Sequence, residues 1–321
     1  MGKVTFIETL PAAGDAKTKQ PAGIWVGGAT ETMLHGNEQP WFDLSRCEDL
    51  NNIKWVQGAA HIGASVPLSV LARHGELKKA FPLLVSACQH TANPQTRSQA
   101  TVGGALCQSS RCPHLGHGED ACSSSGDAAC RAQGDEGFPY AIIDNKTCAA
   151  LHASTLGLAL LALEARMQVQ IFQPTGVETH MWSMAQFFDF DVDIKQQNNA
   201  LPAGALIATL HLDQQKQGNT QHYFRLSSRK MAEWAEIEVA INAQVSGGTI
   251  QWLRLGVGAV GRRPLRLGQI ETNAMGQPWT VLHDRDFVVK HLPKLNPLPG
   301  QEYRREALVR SLLAAFAEVV T

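Results

Sequence analysis

Gln95-Thr96-Arg97-Ser98-Gln99-Ala100-Thr101-Val102-Gly103-Gly104-Ala105-Leu106-Cys107-Gln108-Ser109-Ser110-Arg111-Cys112 is the stretch on which the reading of this chain turns. A polar segment runs into a pair of glycines, and a group of cysteines begins directly after them. Thr101, Val102, Gly103, Gly104 and Ala105 offer consecutive backbone N–H groups with little side-chain bulk, the requirement a pyrophosphate places on a protein. One such loop is a weak signal. A second stands upstream, where Ile24-Trp25-Val26 reads as a buried strand ending in Gly27-Gly28-Ala29-Thr30-Glu31. Two glycine loops, with the cysteines springing from one of them, make a specific constellation.

Five of the 7 cysteines, Cys107, Cys112, Cys122, Cys130 and Cys148, fall within one eighth of the chain. The sequence between them is rich in Gly, Ser and Asp and reads as a long loop that needs something to hold it. Disulfides are disfavoured in a chain with no export signal. Structural zinc usually shows paired Cys-x2-Cys knuckles, which are missing, although His114 and His117 keep zinc open. An iron–sulfur cluster takes four thiolates and accepts wider spacings. Cys88, on the apolar run 81–88, reads as a buried core residue, and Cys47 has nothing nearby to activate it.

The chain has 321 residues, enough for two domains. Hydrophobic residues at 44% and charged residues at 18% exclude a disordered or coiled-coil chain. Lys plus Arg is 28 against 29 for Asp plus Glu, a balance that disfavours nucleic-acid or anionic-membrane partners. The longest apolar run, 156–163, is far short of the roughly 20 residues of a membrane span. Met1 to Phe6 has no apolar signal core, so the expected compartment is the cytoplasm, with export bound to a signal-bearing partner left open.

Periodicity predicts strands at 41–44, 56–64, 167–172 and 206–212, helices over 67–80 and 82–91, and a helix from 156 to 165 capped by Ser154. A domain boundary is expected within 173–200, with the 206–212 strand opening the second domain. Ser227-Ser228 is read as the cap of a short helix. Ser246-Gly247-Gly248 predicts a hairpin between 237–245 and 249–256, and a final helix starts near 301 with Leu308, Leu312, Leu313, Phe316 and Val320 on one stripe. Gly256-Val257-Gly258-Ala259-Val260-Gly261 matches the dinucleotide fingerprint as text, but Pro264 follows where helix should continue, so close packing is the better reading. His61, His74, His90, His211 and His222 are scattered and give no acid–base constellation.

These residues together resemble the flavin-binding medium subunit of the molybdenum hydroxylases, the xanthine dehydrogenase superfamily. The resemblance is carried by Gly27 to Glu31 and Gln95 to Ala105. It extends through Asp43-Leu44-Ser45, Ile62-Gly63-Ala64, Phe224 to Arg229 and Arg263-Pro264-Leu265-Arg266. It implies an α+β fold: a two-lobed FAD-binding domain of the vanillyl-alcohol-oxidase/molybdopterin-dehydrogenase type, then a C-terminal α/β domain with a small antiparallel sheet. The expected limits are 1–185, with sublobes of about 1–55 and 56–185 and the cysteine-rich loop at 106–150, and 200–321.

The implied FAD site is Gly27, Gly28, Ala29, Thr30 and Glu31, Thr101 to Ala105, and Ser154 with Thr155. A subset of the family, resembling the 4-hydroxybenzoyl-CoA reductase beta subunit and bacterial aldehyde oxidoreductase FAD subunits, carries a [4Fe–4S] cluster in this insert. By position its ligands here are Cys112, Cys122, Cys130 and Cys148, with Cys107 as spare or fallback ligand. Such a chain is an electron relay in an oxidoreductase. Substrate chemistry belongs to a large molybdopterin subunit, [2Fe–2S] clusters to a small subunit, and an external acceptor or donor closes the circuit. Ala105, Ala153, Thr155 and Leu226 depart from the family's Asn, Pro, Asp and Lys, which makes a flavin-free, cluster-bearing structural subunit the alternative. A zinc-stabilised scaffold is the reading from another class.

Overall fold

The computed structural model describes residues 3–35, 39–115, 122, 130–134, 138–173, 175–192, 197–216, 218–229 and 233–319. His117 and Val320 lie outside the described residues.

The first lobe is a small parallel sheet, β1 (Val4–Phe6), β2 (Ile24–Val26) and β3 (Trp41–Asp43), with β3 in the centre. Between β1 and β2 lies helix α1 (Leu10–Lys19), capped by Thr9, whose hydroxyl accepts from Ala12 N at 3.3 Å. The second lobe begins with the hairpin β4 (Ile53–Val56) and β5 (Ala59–Gly63). The single strand expected at 56–64 is thus two, because Gln57 and Gly58 both take positive φ and reverse the chain. Short helices follow: α2 (Leu68–Leu71), α3 (Gly75–Ala80), α4 (Pro82–His90), α5 (Pro94–Gln99) and α6 (Val102–Leu106). The expected helix over 67–80 breaks between α2 and α3, where His74 restarts it by accepting from Leu77 N through Nδ1.

After the cysteine segment come α7 (Thr155–Ala162), β6 (Arg166–Gln173), β7 (Gly176–Ser183), α8 (Met184–Phe187) and β8 (Leu206–Leu212). The sheet order is β4-β5-β8-β6-β7. The strand expected to open the C-terminal domain is therefore the middle of the second lobe's sheet, antiparallel to both β5 and β6. Its apolar residues serve two cores: Ile207 and Leu210 join the second lobe, while Leu206 and Ala208 join Ile7 and Phe42 of the first.

The C-terminal domain is an antiparallel sheet of β9 (Asn219–Leu226), β10 (Ile237–Ser246), β11 (Thr249–Gly258) and β12 (Leu265–Arg266), in the order β12-β11-β10-β9. Gly247 and Gly248, at φ 55° and 76°, make the tight turn between β10 and β11. Helices α9 (Gly268–Ala274), α10 (Arg285–His291) and α11 (Tyr303–Glu318) complete the domain, and Leu308, Leu312 and Phe316 of α11 are in its core. The helix expected after Ser227-Ser228 falls on residues 230–232, which lie outside the described residues; Ser228 Oγ donates to Glu236 Oε1 at 3.0 Å.

The sheet is covered on both faces, by α9 and α11 and by α4 and α7 of the second lobe. Helix α7 is apolar all round, and every residue from Leu156 to Ala162 is buried, because it lies between α4 and this sheet. A Cβ on Gly256 or Gly258 would come within 2.8 or 3.0 Å of the Leu158 side chain. The fingerprint-like glycines therefore let a helix lie close on a strand.

Arg304 of α11 is 1% exposed and donates to the carbonyls of Tyr140, Glu236 (2.9 Å) and Ala259 (2.7 Å), joining the end of the cysteine segment to both long strands. Arg304→Met leaves three carbonyls without their donor and should lower unfolding free energy by about 3 kcal/mol, read by urea denaturation. A loss below about 1 kcal/mol would show that other donors replace it.

Candidate functional site

The first glycine loop begins where the parallel sheet stops. Leu44 N donates to Val26 O at 2.9 Å. Beyond it the N–H groups of Gly27, Gly28, Ala29 and Thr30 donate to no acceptor among the described residues, and all four residues are only half-buried. Glu31 closes the loop by accepting from Ser109 N at 2.6 Å. The second loop is built differently. Thr101 caps α6, its Oγ1 accepting from Gly104 N at 3.3 Å, while Val102 N and Gly103 N donate to Val66 O and Ala64 O at 3.0 and 2.8 Å. Ala105 N donates to Thr101 O at 2.8 Å. The sequence led us to expect open N–H donors from both loops; in the second, all but Thr101 N are engaged among the described residues.

The loops abut. A Cβ on Gly28 would stand 1.7 Å from Gln99 O, and one on Gly27 2.3 Å from Thr101 Oγ1, so neither position has room for a side chain. Beside them opens a cavity of about 470 Å³, lined by Gly27, Thr101, Gly103 and Gly104 and, across from them, by Lys17, Trp25 and the 203–207 segment. Unengaged N–H groups, hydroxyl-bearing Thr101 and little bulk suit this corner to a phosphate-bearing ligand. Cys107 lines the same cavity. Its thiol is open to that space yet surrounded by protein, and burial, helped by the Glu31 carboxylate, pushes it up to about 12.

Ser154 and Thr155 do not line this cavity. Ser154 caps α7 as expected, its Oγ accepting from Gly157 N at 3.0 Å. Thr155 Oγ1 donates to Glu238 Oε1 at 2.5 Å, and Tyr223 OH donates to the same oxygen at 2.6 Å. Glu238 is 4% exposed, and its neighbours in the strand, Ile237 and Val239 to Ile241, are apolar. Burial first, and then the Glu238 charge, hold the Tyr223 phenol well above its usual value. Sequence reasoning missed this buried carboxylate, although a lone Glu in Ile237-Glu238-Val239-Ala240-Ile241 was the signal for it. His152 lies at the same end of α7. Its Nδ1 accepts from Ser154 N at 3.1 Å, which places the ring proton on Nε2, a buried atom with no partner.

Cys112, Cys122, Cys130 and Cys148 are all uncrosslinked and half-exposed. The Cys112 thiol is pushed up to about 11 by burial, and it also feels Cys148, Cys130 and Cys122, so the four share one neighbourhood. Cys112 and Cys130 pack beside Tyr140, Ala149 and Leu298, and Cys122 N donates to His114 O at 2.7 Å. Arg111, next to Cys112, is sandwiched between Phe138 and Trp234 and donates to Ala235 O at 3.1 Å. Among the described residues no three His, Cys, Asp or Glu side chains stand close enough to hold a single metal ion. Two of the histidines read as scattered are neighbours: His61 and His211 face each other across β5 and β8 with ring centroids 4.2 Å apart.

The fold is that of a flavoprotein-type oxidoreductase component, and comparison with known proteins agrees. Residues 3–213 match the family described as the FAD binding domain in molybdopterin dehydrogenase, and residues 222–319 match the CO dehydrogenase flavoprotein C-terminal domain. The chain belongs to this family, the FAD-binding medium subunits of the molybdenum hydroxylases. It is 27% identical over 268 residues to the aldehyde oxidoreductase FAD-binding subunit PaoB of Escherichia coli (strain K12), covering 81% of this chain and 78% of that one. It is 20% identical to the nicotinate dehydrogenase FAD-subunit of Eubacterium barkeri, covering 92% and 87%. Carbon monoxide dehydrogenase from Hydrogenophaga pseudoflava shares the fold at a TM-score of 0.74 and 16% identity, over 98% of this chain and 96% of that one. Quinoline 2-oxidoreductase from Pseudomonas putida 86 does so at 0.71 and 16%, over 99% and 97%. The first family boundary, at 213, places β8 with the FAD-binding domain, as its pairing does. No helix among the described residues is long and apolar enough to cross a membrane.

Burial brings His152 down to about 3 from 6.5. The unfolded chain therefore takes a proton below pH 6.5 that the folded chain refuses, and stability should fall as pH drops from 6.5 toward 3. His152→Gln should flatten that decline in denaturation curves taken across the window. An unchanged slope would assign the acid sensitivity to other groups.

Proposed function

We propose that this chain holds FAD at the Gly27–Glu31 and Thr101–Ala105 loops and relays electrons within a molybdenum hydroxylase complex. The observation that carries the site is the run of unengaged N–H groups at Gly27 to Thr30, which begins at Gly27 on the cavity wall, with no room for a side chain at 27 or 28. They would bind the diphosphate, and Thr101 would fix the distance between the loops. Ser154 and Thr155, at the Glu238 end of α7, would meet another part of the flavin nucleotide. When bound, FAD exchanges electrons between one-electron and two-electron carriers. The chain's own residues bind, orient and shield it.

In this reading the partners are a large molybdopterin subunit, which carries the substrate chemistry, and a small [2Fe–2S] subunit, with an external acceptor or donor at the end of the circuit. The two FAD subunits named above support it, as do the solved oxidoreductases that share the fold. Cys112, Cys122, Cys130 and Cys148 would hold a [4Fe–4S] cluster. Their thiols are free and share one neighbourhood, and a four-iron cube holds its ligand sulfurs further apart than a single ion does. Cys107, facing the flavin cavity, stays outside this set.

Anaerobic purification with flavin, iron and zinc measured per chain tests both assignments. About one FAD and about four irons are expected. Gly28→Val, which forces the loops apart, should release flavin while iron stays. Full flavin retention would show that this loop is not the cradle. Cys130→Ser should lose iron and keep flavin. Zinc in place of iron would overturn the cluster.

A further inference from the structure

One cation in the cavity has no counter-charge among the described residues. Lys17 lies in the last turn of α1, where a lysine ordinarily faces solvent and complements the helix dipole. It is turned inward instead. Its Nζ donates to Gly23 O at 2.6 Å and stands 5.6 Å from the Trp25 ring centroid. Gly204 makes the room: a Cβ there would lie 2.6 Å from Lys17 Cε, and its φ of +79° already favours glycine. Trp25 Nε1 donates to Gly204 O at 2.8 Å, which fixes that approach.

Among the described residues no carboxylate pairs with Lys17, and of those that line the 470 Å³ cavity it alone is charged. An ammonium has three donors, and one is engaged by Gly23 O. Ser65, 5% exposed, lines the same cavity with a hydroxyl that has no partner. Burial already draws the Lys17 ammonium below its usual value, the expected result of desolvation without an anion. A half-buried cation, an orphaned hydroxyl and the start of an open N–H run at Gly27, all on one cavity, are complementary to a doubly charged anion.

We propose that Lys17 is the counter-ion for the diphosphate of the nucleotide held by the two glycine loops, supplied from α1 rather than from either loop. This rests on the flavin reading above. The side chain crosses from the first lobe's helix to the cavity wall, so ligand binding ties α1 to the 203–207 segment. Lys17 is a binding residue with no part in electron transfer.

The test uses the full chain, stripped of flavin and titrated with FAD, ADP and riboflavin. Lys17→Gln removes the charge and keeps a donor for Gly23 O. It should weaken FAD and ADP by about tenfold or more, leave riboflavin, which lacks phosphate, unchanged, and flatten the salt dependence of FAD binding. Lys17→Arg should recover most of the loss, which a merely structural role for the Gly23 bond would not predict. Melting curves establish that both variants fold. FAD affinity within about twofold of wild type in Lys17→Gln overturns the assignment while the flavin site stands, as does an equal loss for riboflavin. A wild-type chain that takes neither FAD nor ADP overturns the flavin reading itself, and Lys17 with it.

Discussion

Helix α7 is fastened at both ends to one strand, and the arrangement of the two halves depends on it. At its start Thr155 Oγ1 donates to Glu238; at its end Asn242 Nδ2 donates to Ala162 O at 3.3 Å. Seven helical steps of about 1.5 Å are a few ångströms shorter than four strand steps of about 3.3 Å, a gap the two side chains bridge. The helix can lie this close because Gly256 and Gly258 present no side chains to Leu158. With no solvent face, α7 cannot be stable in either domain alone. Burial of its apolar residues against α4 on one side and the sheet on the other is what makes a single body of two domains.

That union has a functional side. The start of α7 carries Ser154 and Thr155, and the turn before it carries His152, so the polar groups there are set by the fit between domains. The glycine corner depends on a different contact, the approach of Gly28 to the Gln99 carbonyl. Two ends of one extended ligand would thus be held by two independent packing constraints. The cysteine segment is fixed separately again, through Arg111 between Phe138 and Trp234 and through Tyr140 and Gln301, whose side chain accepts from Tyr140 N at 2.9 Å.

Much of this was legible in the sequence where local chemistry dictates local shape. Ser246-Gly247-Gly248 announces its turn, Ser154 its helix, and the two glycine loops their mutual business. What was not legible is address. Nothing in Leu206-Ile207-Ala208-Thr209-Leu210-His211-Leu212 says that it belongs between β5 and β6. The same is true of backbone groups: the 102–105 loop looks open in sequence, yet its N–H groups meet Val66 O, Ala64 O and Thr101. Lys17 reads as a dipole-complementing surface lysine until Gly204, far along the chain, is found beside it. The Glu238 carboxylate was visible in sequence, but its partners Thr155 and Tyr223 come from separate elements.

The place of β8 has a consequence for biosynthesis. A ribosome delivers β4 and β5 early and β6 and β7 much later, but the sheet cannot be joined across its middle until residue 212 has emerged. Until then β5 and β6 both expose an unpaired edge, and the first lobe lacks Leu206 and Ala208 from its core. Both FAD-binding lobes therefore close together, late, and on the arrival of one seven-residue strand.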